Sequence, residues 1–563
     1  MGLGKTLTTL AIIVGSLDRA LDFAIERTRE PPETWHKTVP SKTTLVVVPS
    51  SLLLDSWMAE VEKHIKHNTI RVYRYHGSSK RIGISDLLSN DIVLTTYATV
   101  AAEFCRGQSL LNRINWYRLV LDEAHTIRNA ATKQFRAMQS ITAHIRWCLT
   151  GTPIQNSLDD LGALVEFLRV PILDDRKTFR NHIIKPVISG KSARFKNLRR
   201  LLEILCLRRT KSLLKLPEPN VHTHMLDLSK AESEAYRDFG ESCRHAIDLA
   251  ISGHSLKKAN HHIIRTILDM RLFCNDGPKA FDRKKGLSGL PADPEQALSY
   301  LQTCGKAACA QCHCEVQSVN QAGDRSSGTL TVCEHLICGE CLPAYEADLD
   351  DDTKEGRSIC PICGLGWARD SFLRKSVVQT THTPIDLSKA PTKLKLLLSN
   401  LQYQSPNDKC VVFSFWKRTL DLVAEGLEIL KVPFLRIHGS IPSAKRAKIL
   451  ADFERPTSAR VLLVTFGTGG VGINKLMVAN LIHILEPQWN PSVESQAIGR
   501  ILRLGQEKSV KIVRYIMKNT VEEVSLASAH KASTLSMLLL GGSITTASET
   551  ATCSRRFWLN GER

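Results

Sequence analysis

The 563-residue sequence lacks any uninterrupted apolar run long enough to cross a membrane, which takes ~18 residues. No transmembrane helix and no membrane partner are expected. It has no internal repeat and no compelling nuclear-localisation run. Acidic charge is in short supply: 56 Asp and Glu stand against 75 Lys and Arg, a net charge of +19. That balance favours a polyanionic partner, nucleic acid first, although a merely basic soluble protein would share it. The 16 cysteines do not read as a disulfide scaffold, because eight ligand positions carry metal spacing and the other cysteines are scattered as core residues are. A reducing compartment is expected. Length and a 43% hydrophobic content suffice for three or four domains.

Two stretches alternate short apolar runs with helical patterns. The first holds TLVVVPS (44–50), DIVLTTY (91–97), RLVLDEAH (118–125) and IRWCLTGTP (145–153), with helical segments such as Ser51–Ile65 and Leu158–Leu168 between them. The second holds KCVVFSF (409–415), FLRIHGS (434–440), RVLLVTF (460–466), LIHILEP (481–487) and KIVRYIM (511–517). Continuous apolar strands alternating with helices predict parallel sheets covered on both faces, hence two α/β lobes. The expected divisions are a first lobe at 1–169, a helical basic extension at 170–275, a linker at 276–303, a zinc module at 304–369, a second linker at 370–392, a second lobe at 393–540 and a tail at 541–563. An acidic stretch at 346–355 reads as a solvated loop.

Gly2-Leu3-Gly4-Lys5-Thr6 is the back half of a phosphate-binding loop. Its glycines let backbone N–H groups approach phosphate, Lys5 would reach the β- and γ-phosphates, and the Thr6 hydroxyl would hold Mg²⁺. The same residues also fit a signal-peptide or myristoylation pattern, but the phosphate reading has partners downstream. The full loop needs residues ahead of Met1, so a fragment or a mis-called start is expected in preference to a dead motor. Asp122 and Glu123 end an apolar run; such a strand would place Asp122 on Mg²⁺ and Glu123 on the attacking water. Thr150-Gly151-Thr152-Pro153 follows another strand and could sense phosphate state. In Gln496-Ala-Ile-Gly-Arg500-Ile-Leu-Arg503-Leu-Gly-Gln506 the two arginines lie one helical step apart, sharing a face from which both could meet a γ-phosphate.

These motifs, together with LRRTK, VVFSFW, HGS, TFGTGGVGIN and LEPQWNP, make the chain resemble a Swi/Snf-type helicase-like ATPase of helicase superfamily two, through nearly its whole length. A zinc module between the lobes points to the RING-bearing branch resembling helicase-like transcription factor. The resemblance implies two RecA-like parallel-sheet lobes with helical insertions and an inserted zinc-binding RING. It also implies ATP, Mg²⁺ and two Zn²⁺ as cofactors, and DNA-stimulated translocation on double-stranded DNA or chromatin. The setting would be nuclear, in DNA repair or damage tolerance. Lys5, Asp122, Glu123, Arg500 and Arg503 would be catalytic. Gly2, Gly4, Lys5, Thr6, Asp122, Gln496, Arg500 and Arg503 would bind the nucleotide. Gly470 and Gly472 fall in an interlobe coupling loop. Thr95, Thr96, Arg208, Arg209 and Trp489-Asn490 fall in segments that meet or support the duplex backbone. The chain departs from the family at His438 and Glu486, each in place of Asp, and at Asp276-Gly277 in place of His-Pro. The contrasting reading is a non-catalytic DNA-binding scaffold with a zinc docking module.

The metal array reads Cys309-x2-Cys312, Cys333-x-His335-x2-Cys338-x2-Cys341 and Cys360-x2-Cys363, the spacing of tetrahedral zinc ligands. It matches a RING cross-brace in which Cys309, Cys312, Cys338 and Cys341 bind one zinc and Cys333, His335, Cys360 and Cys363 the other. Cys304, His313 and Cys314 offer a shifted ligand choice. Pro361 and Ile362 suit docking of a ubiquitin-conjugating enzyme; Gln311 and Gly364 do not, so ubiquitin ligase and plain docking module both stand.

Overall fold

A computed structural model describes residues 3–29, 38–80, 82–107, 109–154, 157–189, 195–209, 218–252, 256–278, 290–291, 293–316, 318–319, 327–352, 357–368, 386–439, 441–456, 459–469, 476–488, 491–503 and 505–527. Gly2, Gly470, Gly472, Trp489, Asn490 and the expected tail lie outside them.

The first lobe is a five-stranded parallel sheet in the order Val72–Arg74, Ile92–Thr96, Val39–Val48, Ile114–Asp122, Ala143–Leu149. Its central strands read as unbroken apolar runs because both faces are covered. Successive side chains alternate between faces. Leu45, Val47, Val93, Leu119 and Leu121 enter one core, while Val46, Val48, Ile92, Leu94 and Val120 enter another with Leu10, Ile13 and Trp57. The second lobe repeats the plan with six parallel strands, ordered Phe434–Ile437, Val461–Thr465, Cys410–Ser414, Leu481–Ile484, Lys511–Met517, Asn220–Leu226. Here too Val411, Phe413, Leu462 and Val464 face one core, and Cys410, Val412, Val461 and Leu463 the other.

Three expectations need correction. The stretch 170–275 is not wholly helical: Asn220–Leu226 pairs in parallel with Lys511–Met517 at the edge of the second sheet. Its largely exposed, polar-rich sequence hides the strand, and the pairing itself is non-local. The linker at 276–303 holds the helix Pro294–Thr303, where Asp293 Oδ1 caps the Glu295 and Gln296 amides and Pro294 occupies the first turn. Within the acidic stretch, Asp350–Asp352 forms a strand against Arg357–Ile359, which also pairs with Gly366–Ala368.

The zinc module is packed into the first lobe. Cys309, Cys312, Val316, Leu336, Ile337 and Tyr345 share one continuous apolar cluster with Tyr75, Tyr97, Val100 and Ala101 of the sheet and its helices.

Candidate nucleotide site and metal centres

Gly4 caps the helix Lys5–Val14 with φ of 75°, a left-handed conformation that favours glycine. The helix N-terminus concentrates unpaired N–H groups and positive potential. Lys5 Nζ reaches Glu123 Oε1 at 3.2 Å. Thr6 is half-buried in the first turn of the same helix. Asp122 closes the strand Ile114–Asp122 and is buried. Its Oδ2 accepts from Trp57 Nε1 at 2.9 Å and its Oδ1 from the Glu123 amide at 2.9 Å. Tyr97 donates its hydroxyl to the Asp122 carbonyl at 3.0 Å.

The two carboxyls are driven apart in acidity. Burial, then the adjacent Glu123 charge, raises Asp122. Burial would raise Glu123 as well, but the His125 hydrogen bond and the Lys5 charge outweigh it and bring Glu123 down to about 2. Glu123 also sits at φ 46°, left-handed for a non-glycine residue, a strain worth on the order of 1–3 kcal/mol that clusters at functional positions. From Glu123 the contacts run on. His125 Nδ1 lies 3.4 Å from Glu123 Oε2 and 3.3 Å from Thr150 Oγ1, and Thr150 Oγ1 accepts from the Thr152 amide at 3.0 Å. The hydroxyl turn at 150–153 is thereby wired to the acidic pair.

Arg500 of the second lobe lies within the electrostatic field of the same carboxylates. Arg500 is lowered by burial, and the charges of Glu123 and Asp122 act on it in the opposite sense. Arg503 lies close enough to lower Arg500 further. The shared helical face needs correction: the helix Pro491–Ile498 ends before Arg500, and both arginines sit on the tight turns that follow. Gln496 is half-buried on the helix itself. Gln506 braces those turns, donating to the carbonyls of Met477, Ala479 and Ile501 at 2.9, 3.0 and 3.3 Å.

Two residues took on parts that sequence reasoning did not assign. Trp57 reads as a core residue on an amphipathic helix, yet it orients Asp122. Arg209 donates to Thr8 Oγ1 at 2.6 Å and the Leu3 carbonyl at 3.4 Å, so it lies against the phosphate loop. Thr95 and Thr96 are buried, with hydroxyls bonded to the Tyr75 carbonyl and to Thr99. They support the surface without forming it.

The metal ligands gather into two sets. Ligand atoms of Cys309, Cys312, Cys338 and Cys341 lie within 4.8 Å of one another, as do those of Cys333, His335, Cys360 and Cys363. Amides of Cys338 and Ile362 point at the sulfurs of Cys309 and Cys360 at 3.3 and 3.4 Å. His335 Nε2 is buried and finds no hydrogen-bond partner among the described residues. Three thiols gathered with one imidazole fit a tetrahedral Zn²⁺. The alternative ligands stand outside both sets: Cys314 Sγ points to the Tyr97 carbonyl and His313 is exposed. Gly364 has φ 71°, a left-handed conformation that favours glycine. Ile362 and Leu365 are exposed beside the last ligand pair.

Comparison with known proteins agrees with this construction. A model of the SNF2-related domain matches residues 1–278, and a model of the helicase conserved C-terminal domain matches residues 392–505. The chain belongs to the SNF2-type helicase-like ATPases. Relatives of this SNF2-type chain include DNA repair protein RAD5B of Arabidopsis thaliana, 31% identical over 93% of the chain and 43% of the relative. DNA repair protein rad8 of Schizosaccharomyces pombe is 30% identical over 93% and 50%, and human helicase-like transcription factor 28% identical over 87% and 50%. The chain thus spans about half the length of these curated relatives.

Proposed function

We propose that this SNF2-type chain hydrolyses ATP in response to double-stranded DNA and uses the cycle to track along the duplex and remodel DNA–protein complexes. The setting is nuclear DNA repair or damage tolerance. The observation that carries the reading is the convergence on Glu123. Lys5 comes from the phosphate-loop helix at 3.2 Å, and Arg500 comes from the other lobe into the field of the same carboxylate. The relatives' names and the net charge of +19 support the DNA partner.

The chain's own residues suit the chemistry. The helix N-terminus and Lys5 receive the phosphates of ATP. Asp122, held by Trp57, and Thr6 are the groups that would hold Mg²⁺, which supplies charge neutralisation at the phosphates when bound. Glu123 remains ionised far below neutral pH, so it can orient water and accept its proton. Lys5 occupies Glu123 and exchanges that partner for phosphate, which frees the base only when nucleotide is present. Arg500 and Arg503 face the charge that develops as the γ-phosphoryl group leaves. The eight Cys and His ligands would hold two Zn²⁺, whose contribution is structural. The exposed Ile362 and Leu365 suit docking of a ubiquitin-conjugating enzyme, and with it ubiquitin ligase activity.

Phosphate release measured with and without duplex DNA tests the motor. Stimulation is expected, with Lys5→Ala and Arg500→Ala each lowering kcat on the order of 10²–10³-fold. Hydrolysis indifferent to both DNA and Lys5→Ala would leave the scaffold reading.

A further inference from the structure

The zinc module and the helix before it touch both lobes through two buried carboxylates. Glu340 lies between the ligands Cys338 and Cys341. It accepts from Lys80 Nζ at 2.8 Å and meets His76 Nδ1 at 3.1 Å, while its carbonyl accepts from Arg106 Nη2 at 3.2 Å. All three partners belong to the first lobe. Glu295 lies in the first turn of the helix Pro294–Thr303. Its Oε1 accepts from the Gly439 amide at 2.8 Å, and its Oε2 lies 3.4 Å from His438 Nδ1 and 3.8 Å from Lys417 Nζ. Those three partners belong to the second lobe. Both carboxylate side chains are 9% exposed, so neither set of contacts is a solvent-screened surface pair.

The first attachment is broad, because the metal-binding segment shares the first lobe's apolar cluster. The second joins these polar contacts to an apolar one, since Trp416 of the second lobe shares a cluster with Ala297, Leu298 and Tyr300 of the helix. It is also tight: a Cβ on Gly439 would come within 3.1 Å of Glu295 Oε1 and 3.4 Å of Ser318 Cβ. An aspartate at position 438 would face Glu295 with like charge; a histidine can donate to it.

We propose that Glu295, with His438 and Gly439, is an interlobe latch that positions Arg500 beside Glu123. The zinc module moves as part of the first lobe, and the latch sets where the second lobe stands against it. Glu295 is a positioning residue, acting through Arg500. The inference rests on the hydrolase reading for its effect on rate, but not for its effect on geometry.

The test is an interlobe distance distribution on the full chain, with spin labels placed by non-cysteine chemistry at the exposed Glu62 and Glu428, read together with ATPase kinetics. Glu295→Ala is expected to shift the near-to-far population ratio about 10-fold toward the far state. It should lower kcat by about the same factor with little change in KM, because Arg500 acts in the transition state. Glu295→Gln keeps an acceptor for the Gly439 amide and should give a smaller shift. His438→Asp and Gly439→Ala lie outside the zinc module. They should shift the distribution in the same direction, and they decide the matter where Glu295→Ala loses zinc or fails to fold. Distributions that superimpose on the parent's would overturn the latch, as would a shifted distribution with kcat unchanged in an active parent. A shifted distribution in a protein that hydrolyses no ATP would keep the latch and remove the hydrolase reading.

Discussion

The two metal-ligand sets have like chemistry and unlike surroundings. In the first, Cys309, Cys312, Cys338 and Cys341 are all buried, within an apolar cluster that continues into the first lobe. In the second, only Cys360 is buried; Cys333 and His335 are half-buried and Cys363 is exposed. The difference follows from what lies between the ligands. Ala310, Leu336 and Ile337 flank the first set and pack inward, whereas Pro361, Ile362 and Gly364 flank the second and face solvent. A cross-brace read from spacing alone suggests one module with two equal staples. The structure instead buries the whole first staple in the first lobe's core, while the second touches that core through Cys360 and Cys333 and leaves Cys363 at the surface.

Removing a ligand from each set breaks the comparison most directly. Cys312→Ser should cost much of the stability of the first lobe as well as its metal, since structural zinc supplies on the order of 10–16 kcal/mol of apparent folding free energy in small fingers. The expected outcome is insoluble or molten protein without ATPase activity, checked by soluble yield and calorimetry. Cys363→Ser should remove about one zinc equivalent, leave ATPase within about 2-fold, and abolish any ubiquitin-chain formation. Chelator titration with a chromophoric zinc indicator sharpens this. Release should be biphasic, with hydrolysis surviving the first phase. A single phase, or ATPase lost with Cys363, would mean that the two sets are one unit after all.

The same contrast marks how far the sequence carries. Leu45-Val46-Val47-Val48 announces a strand buried on both faces, and it is one. Asp122 and Glu123 fall at a strand end as their position after an apolar run implies. The ligand spacing foretells both tetrads, because a tetrahedral site constrains local geometry. What stayed hidden is non-local. Nothing in the NVHTHML of 220–226 names Lys511–Met517 as its partner. Trp57 looks like any core tryptophan until Asp122 is placed beside its indole nitrogen. Glu340 reads as a spacer between two cysteines, yet it anchors the module through residues far back in the chain. Arg500 and Arg503 carry a helical spacing but lie on turns, because the helix ends at Ile498. The placement of the strand-end carboxylates and of the ligand sets was legible; the groups that hold them in place were not.

The smallest expected effect concerns the anchor between the buried ligand set and the first lobe. His76 faces Glu340 and Thr99 directly, with Arg74, Lys80 and Asp55 also acting on it. Burial lowers its pKa from the ordinary 6.5; Glu340 acts to raise it, and Arg74 and Lys80 to lower it. Below pH 6.5 the unfolded chain therefore takes up a proton that the folded chain resists. The unfolded state then binds more protons, and stability falls as pH falls through that window. Above 6.5 both states hold a neutral imidazole and the contribution is constant. His76→Gln keeps a donor for Glu340 and removes the titration. Thermal unfolding followed from about pH 7.5 to 5.5 should show a shallower acid slope for His76→Gln than for the parent, with zinc content matched at each point. Parallel slopes would mean that the anchor does not feel this proton. The acid sensitivity of the chain would then lie with other groups, such as the buried His483, which burial lowers to about 3, or the second ligand set, whose thiols compete with protons for metal.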